Sequence, residues 1–228
     1  MGQCKSVLKQ IEGDKILDLL FNEKHPSHAA SYEKESISVY PALPSRYQSV
    51  YCVKVYDGDT LTLDNGERVR LIGVDAPEIK ENQPYAVEAK MFVSDLCQNK
   101  DICISFEPGQ DEKDRFGRSV AWIWVKVNNG YLNVNEAMVA NGFASVYFYG
   151  KSQLQNAEKM IMLQKAARDD KKGKWSNFID AKVYKTKNGS AYHRSRNCSH
   201  LARSRNVQTI KASEGLDLGL SACRACNQ

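Results

Sequence analysis

No stretch of this 228-residue chain stays apolar long enough to span a bilayer, and its N-terminus lacks the apolar core of a secretory signal. A protein kept in the cytoplasm is the expectation. Cysteine is sparse and uneven: there are seven, an odd number, and three of them crowd into the last 31 residues. Without an export signal, that clustering favours a metal site over a disulfide framework. No motif recurs at a fixed period, and proline is scarce, with three of its six copies between residues 22 and 48. Most of the chain also lacks an excess of either charge. Residues 1–48 set six basic against six acidic side chains, and residues 49–180 set 17 against 19. The surplus behind the net charge of +5 therefore sits in residues 181–228, where nine basic side chains face two acidic ones. A basic tail is a footprint suited to nucleic acid, with ordinary solvated surface as the plain alternative.

The punctuation of the chain gives its organisation. Val7, Leu8, Ile11, Ile16, Leu17 and Leu20 fall at loosely helical spacing, and residues 22–48 read as a linker or extended arm. From Val50 the pattern turns strand-like: VYCVKVY, TLTLD, ERVRLIGV, DICISF and SVAWIWV are β-branched or aromatic runs, with a DNG hairpin turn at 64–66. Helical segments are expected at 85–97 (with Val87, Met91, Phe92 and Leu96 on one face), at 132–142 and at 152–173. Strands with inserted and appended helices suggest a small α+β barrel. Three divisions follow: residues 1–48 as an extension, 49–177 as the barrel domain and 181–228 as a basic tail.

Within VYDGDT, read as a strand, Asp57 and Asp59 stand two apart and would share one face, an arrangement that costs a strand stability. A cation facing a phosphate would explain it, and a plain Asp-Gly turn is the alternative for Asp57. VYDGDT is followed in order by RLIGVDAPE, DRFGRSVAWIW and NVNEAMVANG. Over about residues 50–176, these motifs and their spacing closely resemble the staphylococcal nuclease family. The resemblance implies an OB-like five-stranded barrel with three helices, and calcium-dependent phosphodiesterase activity on DNA, RNA or both.

It also implies roles. Asp59, Asp75 and the carbonyl of Ala76 match the family's calcium ligands, hard oxygens suited to that ion. Asp57 matches an outer-shell acid. Arg70 and Arg118 match a pair of guanidinium clamps, which can each hold two phosphate oxygens. Glu78 matches the residue that positions or activates water, and these three make up the expected catalytic set. Tyr147 and Tyr149 match the pair around the nucleotide, unless one simply packs on the following helix; Arg115 is a further expected substrate contact. Ala76 stands where a threonine is common, Phe116 where a tyrosine is common, and the loop after Glu78 is shorter. Since strict alternation would put Arg70 and Asp75 on opposite faces, a bulge at Gly73 is required if both serve one site.

In the tail, His193, Cys198, Cys223 and Cys226 form a one-imidazole, three-thiolate set of the kind that holds structural zinc, with His200 as a competing ligand. A disulfide pair plus a spare thiol is the alternative. A tail this short can hardly build a core of its own, so a metal staple is physically expected. It resembles, more weakly, zinc-ribbon-like tails of some bacterial nucleases and DNA-repair proteins. Cys52, Cys97 and Cys103 are expected as small buried residues. MGQCKS fits a myristoylation signal at Gly2, with Cys4 placed for a second acyl chain, which would attach the N-terminus to a membrane. The function expected is a monomeric calcium-dependent nuclease acting on DNA and/or RNA. The rivals are a catalytically silent nucleic-acid-binding module and a membrane-tethered scaffold.

Overall fold

The computed structural model describes residues 38–148 and 154–226. The expected N-terminal helix, the acylation signal at Gly2 and Cys4, and Tyr149 lie outside them. Five strands close a barrel: β2 (Gln48–Asp57), β3 (Thr60–Leu63), β4 (Arg68–Leu71), β6 (Lys100–Ser105) and β7 (Ser119–Val127). The hydrogen-bonded order runs β7-β4-β3-β2-β6 and then returns from β6 to β7. The β4–β7 pairing is parallel and the other barrel pairings are antiparallel. Closure removes exposed sheet edges. Inward residues such as Val55, Leu61, Val69, Ile102 and Ile123 are fully or almost fully buried. At the β7 side, β8 (Gly130–Asn133) and β1 (Val39–Tyr40) extend the sheet. The last part of the arm is therefore built in, with Tyr40 set edge-on against Trp124 and donating a hydrogen bond to buried Glu136 at 2.7 Å.

Helix α1 (Ala86–Cys97) buries Ala86, Ala89, Phe92, Val93, Leu96 and Cys97. Val87 and Met91, expected on the buried face, are 58% and 43% exposed. Phe92 and Leu96 are buried as expected, and the small Ala86 and Ala89 complete the inward face, with Ala89 against the Gly58 turn. Helix α2 (Val134–Ala140) is buried along its whole length and capped by the Asn133 side chain, which accepts from the Glu136 N–H at 3.0 Å. Asn135 accepts from the Ile123 N–H and donates to the carbonyls of Ile72 and Ala121. That satisfied buried amide pins the end of β4 to the helix layer. Helix α3 (Ala157–Asp169) is shorter than the 152–173 expected from sequence.

The tail is a small α+β unit. Strands β10 (Lys182–Thr186) and β12 (Val207–Lys211) pair antiparallel, and β11 (Ala191–Tyr192) pairs parallel with β13 (Ser221–Ala222). Helix α4 (Ala212–Asp217) docks the unit on the barrel through its Leu216, which packs with Ala167 and Trp175. Arg168 reinforces the contact by donating to both carboxylate oxygens of Asp217, at 3.0 and 3.1 Å.

Candidate active site and metal-binding cluster

VYDGDT is not one strand. It is a hairpin: β2 ends at Asp57, Gly58 and Asp59 make the turn, and β3 begins at Thr60, with Asp57 opposite Thr60. The Asp-Gly turn is present, and Asp57 stands at its start. Gly58 is required there because a Cβ would lie 2.8 Å from the Cβ atoms of both Ala76 and Ala89. The missing side chain lets α1 and the Asp75–Ala76 segment close on the turn, so that buried Asp59 accepts a hydrogen bond from the Ala76 N–H at 3.2 Å.

The redirection between Arg70 and Asp75 is likewise larger than a bulge. The chain turns at Ile72–Gly73 and leaves the barrel sheet, and Gly73 takes the left-handed conformation at φ +74°. The next strand, β5 (Val74–Asp75), pairs with β9 (Ser145–Val146). Asp75 thereby swings over the mouth of the barrel toward Arg70.

Arg70 is the hub. Its guanidinium pairs with Asp59, donates to the Val74 carbonyl at 3.0 Å and reaches Asp75 at 3.5 Å. Burial alone would lower the pKa of Arg70, but Asp59 and Asp75 raise it. The acids around it are less well compensated. Burial, then the charges of Asp59 and Glu78, push Asp57 up to about 6. Glu78 is raised by partial burial and by Asp59. Asp75 is also raised, by desolvation first and against the pull of Arg70, Lys174 and Arg224. Its side chain is 51% exposed and lines the cleft, so protein surrounds the carboxyl on several sides without covering it. Four carboxylates converging on one guanidinium leave negative charge that a divalent cation would relieve. The donors at hand, Asp59, Asp75 and the Ala76 carbonyl, are all oxygens, so the residues fit calcium.

Arg118 approaches from the other side. Asp114 holds it with contacts of 2.7 Å to both Nε and Nη2, while its Nη1 lies 3.5 Å from Thr60 Oγ1, which donates to Asp59 at 2.9 Å. Phe116, 68% exposed, lies under the guanidinium groups of Arg115 and Arg118, at 4.8 and 5.4 Å from its ring centre. Tyr147 lines the same cleft. Asp114 and Lys174, which donates to Ser145 at 2.7 Å and also lines the cleft, escaped the sequence reading. The Asp-x-Phe-Gly-Arg turn was the available signal for Asp114, an Asx turn whose carboxylate also accepts from the backbone N–H groups of Phe116 and Arg118.

The tail residues meet as expected. One ligand atom from each of His193, Cys198, Cys223 and Cys226 lies within 4.8 Å of the others. Cys198 and Cys223 sulfurs are 3.8 Å apart, well beyond disulfide length. His200 is adjacent, with Nδ1 3.5 Å from the Cys223 sulfur, but falls outside the four-residue group. Burial, then proximity to His200, lowers the His193 pKa and so favours the neutral imidazole that binds metal. Cys52 and Cys97 are fully buried and Cys103 is half-buried; burial raises all three thiols, leaving them protonated and inert.

A closed barrel whose mouth gathers Asp59, Arg70, Asp75, Glu78 and Arg118 defines a class of protein, and related sequences share it. The family described as staphylococcal nuclease homologue matches residues 68–177. A thermonuclease of Staphylococcus hyicus is 34% identical over 137 residues, covering 57% of this chain and 77% of that protein. An uncharacterized protein of Methanocaldococcus jannaschii is 29% identical over 175 residues, 66% of this chain and 83% of its own length. An uncharacterized endonuclease of Escherichia coli O157:H7 is 31% identical over 128 residues, with coverages of 55% and 75%. The chain belongs to the staphylococcal nuclease family.

Proposed function

We propose that this protein is a calcium-dependent nuclease that hydrolyses phosphodiester bonds of DNA and/or RNA with little sequence preference. The observation that carries the reading is the Arg70 hub, one guanidinium shared between Asp59 and Asp75 with Glu78 and Arg118 converging on the same cleft. Held by Asp59, Asp75 and the Ala76 carbonyl, calcium would supply Lewis-acid stabilisation of the charge that gathers on a phosphate under attack. Arg70 and Arg118 meet the same charge from the protein side, each such donor worth a few kcal/mol. Glu78, with its proton affinity raised, orients and activates the attacking water. Phe116 and Tyr147 offer aromatic faces that accept any base, which suits cutting without sequence preference. We assign the tail a structural zinc on His193, Cys198, Cys223 and Cys226, whose closed donor set lacks the open position a catalytic metal needs. On the sequence alone, a monomer tethered in the cytoplasm through acylated Gly2 and Cys4 is the corresponding proposal for location. A mass shift of intact protein made in a eukaryotic host tests it.

Purified protein incubated with single-stranded and duplex DNA should cut when calcium is present and stop when calcium is chelated. Magnesium, which gives up its waters reluctantly, should substitute poorly. Undiminished cleavage after chelation would remove calcium from the mechanism, and binding without cleavage under every condition would identify a silent binding module.

A further inference from the structure

The cleft at the barrel mouth is walled on two sides. Arg70, Glu78 and Arg118 line it from the barrel; Tyr192, Ala222 and Arg224 line it from the tail. Its volume, about 2300 Å³, exceeds the roughly 300–1,000 Å³ of a pocket for one small ligand. That is room for a run of several nucleotides, with phosphates on both sides of the one being cut.

We propose that Arg224, carried by the Cys223–Cys226 knuckle, is a substrate-binding residue of this cleft that takes a backbone phosphate next to the scissile one. The proposal rests on the nuclease reading for the identity of the substrate and on the geometry for the residue.

Arg224 is mounted rigidly for the purpose. It sits between two residues of the metal-binding group, and the Cys223 N–H donates to the Tyr192 carbonyl at 2.9 Å. The preceding Ser221–Ala222 strand is paired to Ala191–Tyr192. The unit as a whole is locked to the barrel by Leu216 in the Ala167–Trp175 cluster and by the double contact of Asp217 with Arg168. An exposed guanidinium on a fixed backbone loses less entropy on gripping a phosphate than one on a free loop. The position of Arg224 also sets it apart within the tail, since Arg194, Arg196, Arg203 and Arg205 are exposed but do not line the cleft. The tail's surplus charge thus has one representative facing the chemistry.

The test compares Arg224→Ala and Arg224→Glu with Arg203→Glu as a charge-matched control, using the full chain. Cleavage of a short labelled oligothymidylate should show KM raised about tenfold in Arg224→Ala and further in Arg224→Glu, with kcat held. That is the size expected for losing one charged hydrogen-bonded contact. Anisotropy of the same labelled strand in calcium-free buffer should show the matching loss of affinity, and a salt slope smaller by about one. Arg203→Glu should change KM by about twofold at most, the size of an exposed charge acting through solvent. Unchanged KM and affinity in both Arg224 variants would overturn the proposal, as would an equal loss in Arg203→Glu. Strand binding that needs Arg224 without cleavage by the wild type would instead overturn the nuclease reading and leave the Arg224 contact standing.

Discussion

At Asp114, partial burial pushes the carboxyl up, but the side chain of Arg118 and the backbone N–H groups of Arg118 and Phe116 outweigh it and hold the pKa below the usual aspartate value. A depressed folded-state pKa adds stability above the unfolded value near 3.8, and that stability is lost as pH falls through the folded value. Asp114→Asn should therefore cost about 1 kcal/mol in urea unfolding at neutral pH, allowing for solvent screening, and the cost should shrink as pH falls below the unfolded value. Its kcat should fall roughly tenfold or more, since Arg118 loses the fork that aims it. Full activity in this variant would show that Arg118 orients itself. Asp57 has the opposite sign. Its folded pKa, raised to about 6, means the folded state binds more protons between roughly pH 4 and 6, so this residue's contribution to stability declines as pH rises through that window. Asp57→Asn should accordingly raise the calcium-free melting temperature by a few degrees at pH 7 and leave it unchanged near pH 4. Calcium should shrink the difference, because the cation relieves the same repulsion; a variant that melts lower at pH 7 would contradict this account.

Among the elements, the β2–β3 turn and the β4–β5 break do most to place the site. Gly58→Ala would drive a methyl group into two alanine side chains on the turn's packed face, Ala76 and Ala89. A loss of about 1–3 kcal/mol is expected from overpacking, with activity falling because the Ala76 carbonyl and Asp59 move apart. Thermal melts and turnover measured together check it; a variant as stable and active as the parent would mean the contact gives way freely. These two elements also mark how far the sequence could be read. The five barrel strands, the DNG hairpin and the acidic and basic site residues were legible, because β-branched runs and paired motifs are local signals. The hairpin within VYDGDT was read as a strand because alternation alone does not distinguish a turn from a strand end. The buried face of α1 was read only in part: Phe92 and Leu96 face inward as expected, whereas Ala86 and Ala89, rather than the apolar Val87 and Met91, complete that face. Periodicity reports hydrophobicity, not the gap to be filled.

For the whole molecule, the question is what ties the tail to the barrel. The ligand set His193, Cys198, Cys223 and Cys226 was visible in sequence, whereas the cleft-facing positions of Lys174 and Arg224 were not, since they arise only when segments about a hundred residues and more from Asp75 fold back over it. Elemental analysis of the native protein should find about one zinc per chain. Cys223→Ser should release it and expose the amides of residues 182–226 to hydrogen exchange, while the barrel amides stay protected, because the metal's binding energy is most of the tail's folding energy. Zinc-free protein with a protected tail would remove the metal from the argument. The family match ends at residue 177, yet the packing does not end there. Trp175, 3% exposed, shares a cluster with Leu216, and Arg168 pairs with Asp217. A stop codon just after residue 177 would thus strip the cover from one end of α3, leaving an indole and an alanine face open to water. The trimmed nuclease would be a stickier molecule than its sequence boundary suggests.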